Sequence, residues 1–332
     1  MKIIFFSAKP YDRLFFDRCN KTLDFEIEYF ETHLGPHMIN VIGTADAVCV
    51  FVNDRVNAEV IKALAEKGIR IIALRCAGFN NVDIEAAKQY GITVCRVPAY
   101  SPEAVAEHAL ALILTLNRKT HKAYNRVREQ NFSLNGLLGF NLHGKTVGVI
   151  GTGNIGKSFC YIMMGLGCKV LAYDIAIDKT LEDAGIQYQP LEAVLKQSDI
   201  ISLHCPLNDK TQYLLNGHTI AIMKKGVMLI NTSRGKLINT ADVVQALKSG
   251  HIGYLGIDVY EQEEKLFFKD RSGDIIDDDI IQRLMSFPNV LVTAHQAFFT
   301  EEALSQIASI TLDNINNIIS GKTIENKAAL VV

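Results

Sequence analysis

Residues 146–174 read TVGVIGTGNIGKSFCYIMMGLGCKVLAYD, and the order of apolar runs and glycines in them predicts the architecture. A short apolar run, TVGVI, leads into three glycines, Gly151, Gly153 and Gly156, and an apolar segment of helical length follows them. A second apolar run, KVLAYD, ends at Asp174. A strand, a glycine-rich turn, a helix and a second strand in this order predict a parallel βαβ unit.

The spacing of the glycines in this context is typical of a dinucleotide-binding turn. Gly151 permits the tight turn, Gly153 lets the backbone approach a pyrophosphate, and Gly156 lets the helix pack closely on the strand. Asn154 and Ile155 begin the helix, where free N–H groups and the helix dipole favour phosphates. The motif alone leaves open a glycine-rich turn that binds no ligand.

Asp174 predicts which dinucleotide binds. It lies close to the position, about 20 residues beyond the glycines, at which a carboxylate accepts the ribose hydroxyls and repels a 2′-phosphate. The residues that follow it, IAID, include no Arg or Lys. The sequence therefore predicts NAD as the cofactor. NADP and FAD are the alternatives, and FAD is disfavoured because its fingerprint usually lies at the start of a chain.

Strands and helices alternate on both sides of this unit. Five β-rich runs precede residue 100 and six follow residue 145, several of them nearly continuous in apolar residues, as buried parallel strands are. The length of 332 residues suits about two domains. We expect one long helix from Pro102 to about Gln130, joining two α/β units, and a final helix over EEALSQIASITLDNINNIIS.

Composition excludes several classes of function. The net charge is −2 and no block of Lys or Arg stands out, so we expect no nucleic-acid or membrane partner. The seven cysteines are scattered without metal-type spacing, which predicts reduced thiols, a cytoplasmic protein and no metal site. The histidines other than His204 and His295, among them His108, are expected on the surface or in caps.

Chemistry-bearing residues follow later strands, where ligands bind in open α/β sheets. Arg234, in the turn NTSRG, could grip a carboxylate through two parallel bonds, although spacing alone fits a structural Arg as well. Glu263 could fix the tautomer of His295 and favour its protonated form, giving a proton donor near neutral pH. Spacing alone also fits a solvated acidic run around Glu263.

These motifs carry a family resemblance. GTGNIG, SLHCPL, NTSRGKLI, LGIDVYEQE and LVTAHQAFFTEEAL, in this order, resemble the D-isomer-specific 2-hydroxyacid dehydrogenases. RCAGFNNVD (75–83), VPAYSPEAVAEHALAL (97–112), the insert LFFKDRSGDIIDDD (266–279) and the HQAF sequence resemble the bacterial fermentative branch of that family, the D-lactate dehydrogenases. The resemblance extends over essentially the whole chain.

The resemblance implies roles for individual residues. The catalytic residues of the family fall on Arg234, Glu263 and His295. Cofactor contacts fall on Asn154, Ile155, Asp174, Cys205, Pro206, Thr232, Ser233 and Asp258, with Arg234 counted among them and Thr211 standing where relatives often have Asn. Substrate contacts fall on Arg234, on His295, on the backbone of Cys76, Ala77 and Gly78, and on Tyr100 and Phe298.

The resemblance also implies an architecture and a reaction. We expect a flavodoxin-like catalytic domain from residues 1–100 and 299–332, a Rossmann NAD-binding domain from residues 101–298, and a substrate cleft between them. The expected reaction is the reversible reduction of pyruvate to D-lactate by NADH, in a homodimer or homotetramer. Another D-2-hydroxy acid is the main alternative, and an NAD-sensing, protein-binding corepressor is a remote one. Glu263 argues against the formate dehydrogenases, which carry Gln there.

Overall fold

The computed structural model describes residues 1–324 and 326–332. The chain divides into two units, the first made of Met1–Ser101 with Phe299–Val332 and the second of Pro102–Phe298. Within the described ranges, no helix is both long enough and apolar enough to cross a membrane.

Strands and helices alternate along most of the described chain. The strands are β1 (Lys2–Phe5), β2 (Glu26–Tyr29), β3 (Ala47–Val50), β4 (Ile71–Leu74), β5 (Thr93–Arg96), β6 (Thr146–Ile150), β7 (Lys169–Tyr173), β8 (Gln187–Tyr188), β9 (Ile200–Leu203), β10 (Val227–Asn231), β11 (Ile252–Ile257) and β12 (Val290–Val292). The α-helices are α1 (Pro10–Asn20), α2 (Ala58–Glu66), α3 (Ile84–Gln89), α4 (Pro102–Arg118), α5 (Thr120–Arg128), α6 (Asn154–Gly165), α7 (Lys179–Asp183), α8 (Leu191–Gln197), α9 (Gly217–Ala221), α10 (Thr240–Lys248), α11 (Asp279–Ser286) and α12 (Glu301–Ile319).

The first unit is built on a five-stranded sheet in the order β2-β1-β3-β4-β5. Every pair in it is parallel, and β3 and β4 are buried along their whole length. Strands covered on both faces must be apolar on both faces, which explains the uninterrupted runs AVCV and IIAL. The order is that of flavodoxin-like folds. The chain end returns to this sheet, where Val94 exchanges backbone hydrogen bonds with Val331 and Val332.

The second unit is built on a seven-stranded parallel sheet in the order β12-β11-β10-β9-β6-β7-β8. Six of these positions reproduce the Rossmann order, with β12 added at one edge. The strand order reverses between β6 and β9, and ligands bind beyond the carboxyl ends of strands at such a point. The predicted fold class, two doubly wound parallel-sheet units, is confirmed.

Two local predictions need correction. The helix expected from Pro102 to about Gln130 is interrupted at Lys119, which has φ +51° and separates α4 from α5. The break coincides with contacts from a returning segment, because Asn117 exchanges two hydrogen bonds with the backbone of Phe140 and the Lys119 ammonium donates to the carbonyl of Leu138. The two-residue strand β8 was not predicted, since so short a run has no hydrophobic period. The predicted C-terminal helix is confirmed as α12.

Candidate active site

The turn between β6 and α6 is shaped by its three glycines. Gly151 has φ +94°, and a Cβ there would lie 2.5 Å from the backbone nitrogen of Cys205. A Cβ on Gly156 would lie 2.0 Å from the carbonyl oxygen of Gly151. In contrast, a Cβ on Gly153 would meet no described atom within 4 Å. Gly151 and Gly156 therefore permit close packing, whereas the space beside Gly153 is open for a ligand at the start of α6.

Asp174 is held in place at the end of β7. One carboxylate oxygen accepts hydrogen bonds from the Thr152 backbone (2.6 Å) and hydroxyl (3.1 Å), and the other accepts from the N–H of Ala176 (3.2 Å). The hydroxyl of Tyr188, on β8, donates to the Thr152 hydroxyl at 2.9 Å. Asp174 stays partly exposed, and the carboxylate oxygen that accepts only from Ala176 has a further lone pair to offer to a ribose hydroxyl.

The loops that follow β9 and β10 are tied together. The Ser233 hydroxyl donates to the carbonyl oxygen of Cys205 at 2.7 Å. The Thr211 hydroxyl closes its own loop by donating to the carbonyl of Pro206 at 2.7 Å. Burial raises the pKa of the Cys205 thiol to about 11, so this cysteine remains a neutral wall residue.

The side chain of Thr232, after β10, indicates that a cofactor fits between these loops. Its side-chain oxygen is buried and has no hydrogen-bond partner among the described residues. A buried polar atom without a partner is costly, and a bound polar molecule would supply one. Together with the open space beside Gly153 and the fixed carboxylate of Asp174, Thr232 makes the loops beyond β6, β7 and β10 fit a dinucleotide.

The turn after β10 presents Arg234. The side chain of Asn231 donates to the carbonyl of Arg234 at 2.9 Å and accepts from the N–H of Ser233 at 3.0 Å, which shapes the turn. Gly235 brings this turn against the segment that follows β11, because a Cβ there would lie 2.1 Å from the carbonyl carbon of Tyr260. Gly235 is a positioning residue that sequence reasoning missed, although the Arg-Gly pair in NTSRG was its signal.

Glu263 and His295 form the predicted pair. The His295 Nδ1 lies 2.9 Å from the Glu263 Oε1, and each side chain is 22% exposed. The other carboxylate oxygen of Glu263 accepts from the N–H of Tyr260 at 2.9 Å. With Nδ1 directed at a carboxylate, the ring carries its proton there, and Nε2 is the nitrogen left for another molecule.

Asp258 supports the turn that carries His295. It is fully buried at the end of β11, and its carboxylate accepts hydrogen bonds from the hydroxyl of Thr293 (2.5 Å) and from the N–H groups of Gln296 and Ala297 (2.9 Å each). Burial alone would raise the pKa of Asp258, but hydrogen bonds, that of His108 first among them, outweigh it and lower the pKa. The carboxylate is therefore ionised and bound to protein groups.

His108 was wrongly expected to be a surface or capping residue. Its Nε2 lies 3.1 Å from the Thr293 hydroxyl and 3.4 Å from an Asp258 carboxylate oxygen, and its side chain is only 16% exposed. The signal was present in the sequence, since His108 is spaced four residues from both Ala104 and Leu112 on the buried face of α4.

The remaining predicted substrate residues occupy different units. Cys76, Ala77 and Gly78 follow β4 in the first unit, where the guanidinium of Arg96 donates to the carbonyl of Ala77 at 2.6 Å. Tyr100 also lies in the first unit, and Phe298 is a buried residue of the second. Among the described residues, no group of three His, Cys, Asp or Glu side chains could hold a metal ion.

The fold and this arrangement of residues define an α/β dinucleotide-dependent enzyme with a carboxylate–imidazole pair. Comparisons with known proteins narrow the class. Residues 110–297 match the family described as D-isomer specific 2-hydroxyacid dehydrogenase, NAD binding domain. The chain belongs to the D-isomer-specific 2-hydroxyacid dehydrogenase family, and the predictions of this family and of NAD as cofactor are confirmed.

Individual relatives match over nearly their full length. A 2-hydroxyacid dehydrogenase homolog of Haemophilus influenzae is 51% identical, with 98% of each chain covered. The apo-structure of D-lactate dehydrogenase from Escherichia coli matches with a TM-score of 0.92 and 45% identity, covering 100% of both chains. The D-lactate dehydrogenase of Aquifex aeolicus complexed with NAD and lactic acid matches with a TM-score of 0.87 and 34% identity, covering 99% of both chains.

Proposed function

We propose that this chain is an NAD-dependent D-lactate dehydrogenase, which catalyses the reversible reduction of pyruvate to D-lactate. The observation that carries the proposal is the 2.9 Å contact between Glu263 and His295 at the carboxyl edge of the second sheet. Arg234 follows β10 at the same edge, because β10, β11 and β12 are adjacent and parallel. The names of the Escherichia coli and Aquifex aeolicus relatives support the same reaction.

The proton comes from His295 in this proposal. The imidazolium donates from Nε2 to the carbonyl oxygen of pyruvate, and the carboxylate of Glu263 stabilises the positive ring through Nδ1. In the reverse direction neutral His295 accepts the hydroxyl proton of D-lactate. Asp258 fixes the backbone at His295 and Glu263 holds the ring through Nδ1, so the imidazole does not need to reorient for each turnover.

We assign the binding of the negative charges of the substrate to Arg234 and to backbone groups. A guanidinium offers two parallel donors to a carboxylate and polarises the adjacent carbonyl oxygen as it gains charge. We assign further carboxylate contacts to the backbone of Cys76, Ala77 and Gly78. Tyr100 and Phe298 are assigned to the small methyl side of pyruvate.

NADH, when bound, supplies the hydride that reaches the ketone carbon. The residues proposed to hold it are Gly151, Gly153, Asn154, Ile155, Gly156, Asp174, Cys205, Pro206, Thr211, Thr232, Ser233, Arg234 and Asp258. Asp258 belongs to this set only through its backbone or by its support of neighbouring residues, since its carboxylate oxygens bind protein groups.

The decisive experiment follows NADH oxidation at 340 nm with a panel of 2-keto acids, and then determines the chirality of the product. We expect pyruvate to be preferred and D-lactate to form. His295→Gln should lower kcat by about 100-fold or more, the usual size of acid–base catalysis. His218→Gln, an exposed histidine on α9, is the control and should leave kcat unchanged. Preference for a larger 2-keto acid would favour another member of the family, and L-lactate would contradict the proposal.

We further propose a homodimer or homotetramer in the cytoplasm. The segment after α5 exposes three large apolar side chains, those of Phe132 (71%), Leu134 (81%) and Leu138 (87%). A cluster of exposed apolar side chains of this kind favours contact with another protein surface. All seven cysteines are free, which supports a reducing compartment. Sedimentation velocity of the wild type and of Leu134→Ser with Leu138→Ser tests the assembly, and a monomeric wild type would contradict it.

A further inference from the structure

A cavity of about 670 Å³ lies within the second unit, and no function has been assigned to it above. It is open to solvent on one side and is bordered by β12, by α11, by the start of α5 and by the segment 266–276. None of the described residues that line it belongs to the proposed cofactor or catalytic set. Its volume is in the range of sites that bind small organic molecules, about 300–1,000 Å³.

The lining combines an apolar surface with positive charge. Phe267 and Val292 are among its many apolar residues, while Lys122, Lys269 and Arg271 contribute cations. No Asp or Glu is found among the described lining residues. A cavity of this chemistry is complementary to a molecule that has an apolar body and a negative charge.

Three of the acidic residues near the cavity have partners of their own. The segment that carries Lys269 and Arg271 is also rich in Asp, so these carboxylates must be accounted for. Asp270 accepts from the hydroxyl and N–H of Ser272, and Asp278 caps α11 and accepts from a tyrosine hydroxyl. Asp274 pairs with Arg271 at 2.5 Å and neutralises part of its charge. Lys122 and Lys269 remain as lining cations without a carboxylate partner among the described residues.

The wall holds one polar group without a partner, on His121, and one crowded cation, Lys122, whose ammonium donates to the carbonyl of Pro288. The Nδ1 of His121 is buried and has no hydrogen-bond partner among the described residues. The pKa of Lys122 is lowered by burial and by the neighbouring charges of Lys119 and Arg126. With the ring proton on Nδ1, His121 would donate a hydrogen bond to a bound anion, and the anion would relieve the crowding of positive charge around Lys122.

Residues that line the cavity are connected through the backbone to Glu263 and to His295. Leu266 and Phe267 line the cavity, and their N–H groups donate to the carbonyl oxygen of Glu263 at 2.9 and 2.8 Å. Ala294 also lines the cavity, and it immediately precedes His295. A molecule that filled the cavity would contact both segments and would therefore bias the separation of Glu263 and His295.

We propose that this cavity is a regulatory site for a small organic anion with an apolar body, whose binding adjusts the Glu263–His295 pair. The binding part of this proposal is independent of the reaction. Its kinetic consequence rests on the proposed function.

The test uses the absence of tryptophan from the chain. Met285 lines the cavity, so Met285→Trp places a single fluorophore in its wall. The probe is 8-anilinonaphthalene-1-sulfonate, which accepts energy from tryptophan, and NAD⁺ at saturation keeps it out of the dinucleotide site. In this background Lys269→Ala with Arg271→Ala removes charge from the cavity. Lys179→Ala with Lys196→Ala removes the same charge from exposed positions of the same unit and is the control.

We expect energy transfer from the introduced tryptophan to the probe. The affinity for the probe should fall at least about tenfold in Lys269→Ala with Arg271→Ala, here called the cavity pair, because each 1.4 kcal/mol of lost interaction is about tenfold. It should fall less than twofold in Lys179→Ala with Lys196→Ala, the control pair. The uncharged analogue N-phenyl-1-naphthylamine should bind both pairs equally. Lys269→Gln with Arg271→Gln serves as a second charge removal and should give the same loss. No energy transfer, or equal affinities in the two pairs, would overturn the site.

The kinetic arm measures pyruvate reduction with the probe at saturation. We expect a change of at least about fivefold in KM or kcat, the lower end of ordinary coupling between sites, and its loss in the cavity pair. Binding without any such change overturns the regulatory part. If the enzyme reduces no 2-keto acid, the proposed function fails, while the affinity comparison still decides the site. Emission of the introduced tryptophan that changes on dilution would show that a second copy covers the cavity, which also overturns the proposal.

Discussion

The backbone N–H of His295 donates a 2.7 Å hydrogen bond to the carbonyl oxygen of Asp258. The carboxylate of the same aspartate binds the next two N–H groups, those of Gln296 and Ala297. His295 has φ +53°, a conformation that costs a residue other than glycine about 1–3 kcal/mol. Asp258 therefore holds the turn, through backbone and side chain together, in a conformation that positions the imidazole.

Asp258→Asn should destabilise the protein and impair catalysis together. The amide keeps one acceptor oxygen but turns an NH2 group towards a buried N–H or hydroxyl donor. The free energy of unfolding should therefore fall by on the order of 3 kcal/mol. The measurement is urea unfolding at pH 7 with kcat at saturating substrates. Asp183→Asn, on exposed α7, is the control and should change the free energy of unfolding by less than about 0.5 kcal/mol. A stable variant with normal kcat would contradict the role given to Asp258.

The contribution of Asp258 should depend on pH in one direction. The pKa of its carboxyl is lowered in the folded protein, because hydrogen bonds led by that of His108 outweigh the effect of burial. A lowered folded-state pKa adds stability above the unfolded value of about 4, and this stability is lost as the pH falls further. The difference in unfolding free energy between wild type and Asp258→Asn should thus be constant from pH 5 to 8 and shrink below about pH 4. A difference that grew on acidification would refute this.

Glu263→Gln should act on catalysis with little effect on cofactor binding. The amide removes the negative charge beside the His295 Nδ1 and allows the wrong ring nitrogen to carry the proton, so kcat for pyruvate reduction should fall at least about tenfold. Glu264→Gln is the matched control, since this neighbouring side chain is exposed. Steady-state kinetics and NADH fluorescence titration measure both quantities. Equal losses in the two variants would indicate a general disturbance of the loop.

Arg234→Lys should fail to replace the guanidinium. Lysine keeps the charge but not the planar pair of donors, so substrate would be misplaced and kcat/KM for pyruvate should fall about 100-fold. Arg283→Lys, at an exposed position of α11, is the control. Near-normal kinetics of Arg234→Lys would mean that Arg234 acts only as a point charge or only as a structural residue.

The sequence predicted those features that depend on local spacing. The glycines after β6, the apolar parallel strands and the two sheets follow from hydrophobic runs and turn residues, which are properties of neighbouring positions. The prediction of one long helix was wrong at Lys119. There the helical pattern continues but the helix is interrupted, and the returning segment contacts the break at Leu138 and Phe140. Such contacts between residues about twenty positions apart leave no periodic trace.

For the candidate site the same distinction holds. Spacing alone left the roles of Arg234, Glu263 and His295 undecided, because each is one polar residue after one strand. The family resemblance assigned their roles. The structure brings Glu263 and His295 together, but Asp258 and His108 could not be paired from sequence. They are 150 positions apart and meet only because α4 packs across β11 and β12. Tertiary packing, which sequence patterns do not encode directly, thus decides which residues support the Glu263–His295 pair.

Asp174→Ala should change the choice between cofactors. Loss of the carboxylate removes charge-assisted hydrogen bonds to the ribose, each of about 1.5–3 kcal/mol, and also the repulsion of a 2′-phosphate. The ratio of kcat/KM with NADH to that with NADPH should therefore fall at least about tenfold.

Tyr188→Phe should shift the ratio less but in the same direction, because the Tyr188 hydroxyl orients Thr152, which donates twice to Asp174. Tyr161→Phe, a half-exposed tyrosine on α6, is the control. An unchanged ratio in Asp174→Ala would remove Asp174 from ribose recognition, and an unchanged ratio in Tyr188→Phe alone would show that the backbone N–H groups suffice to orient the carboxylate.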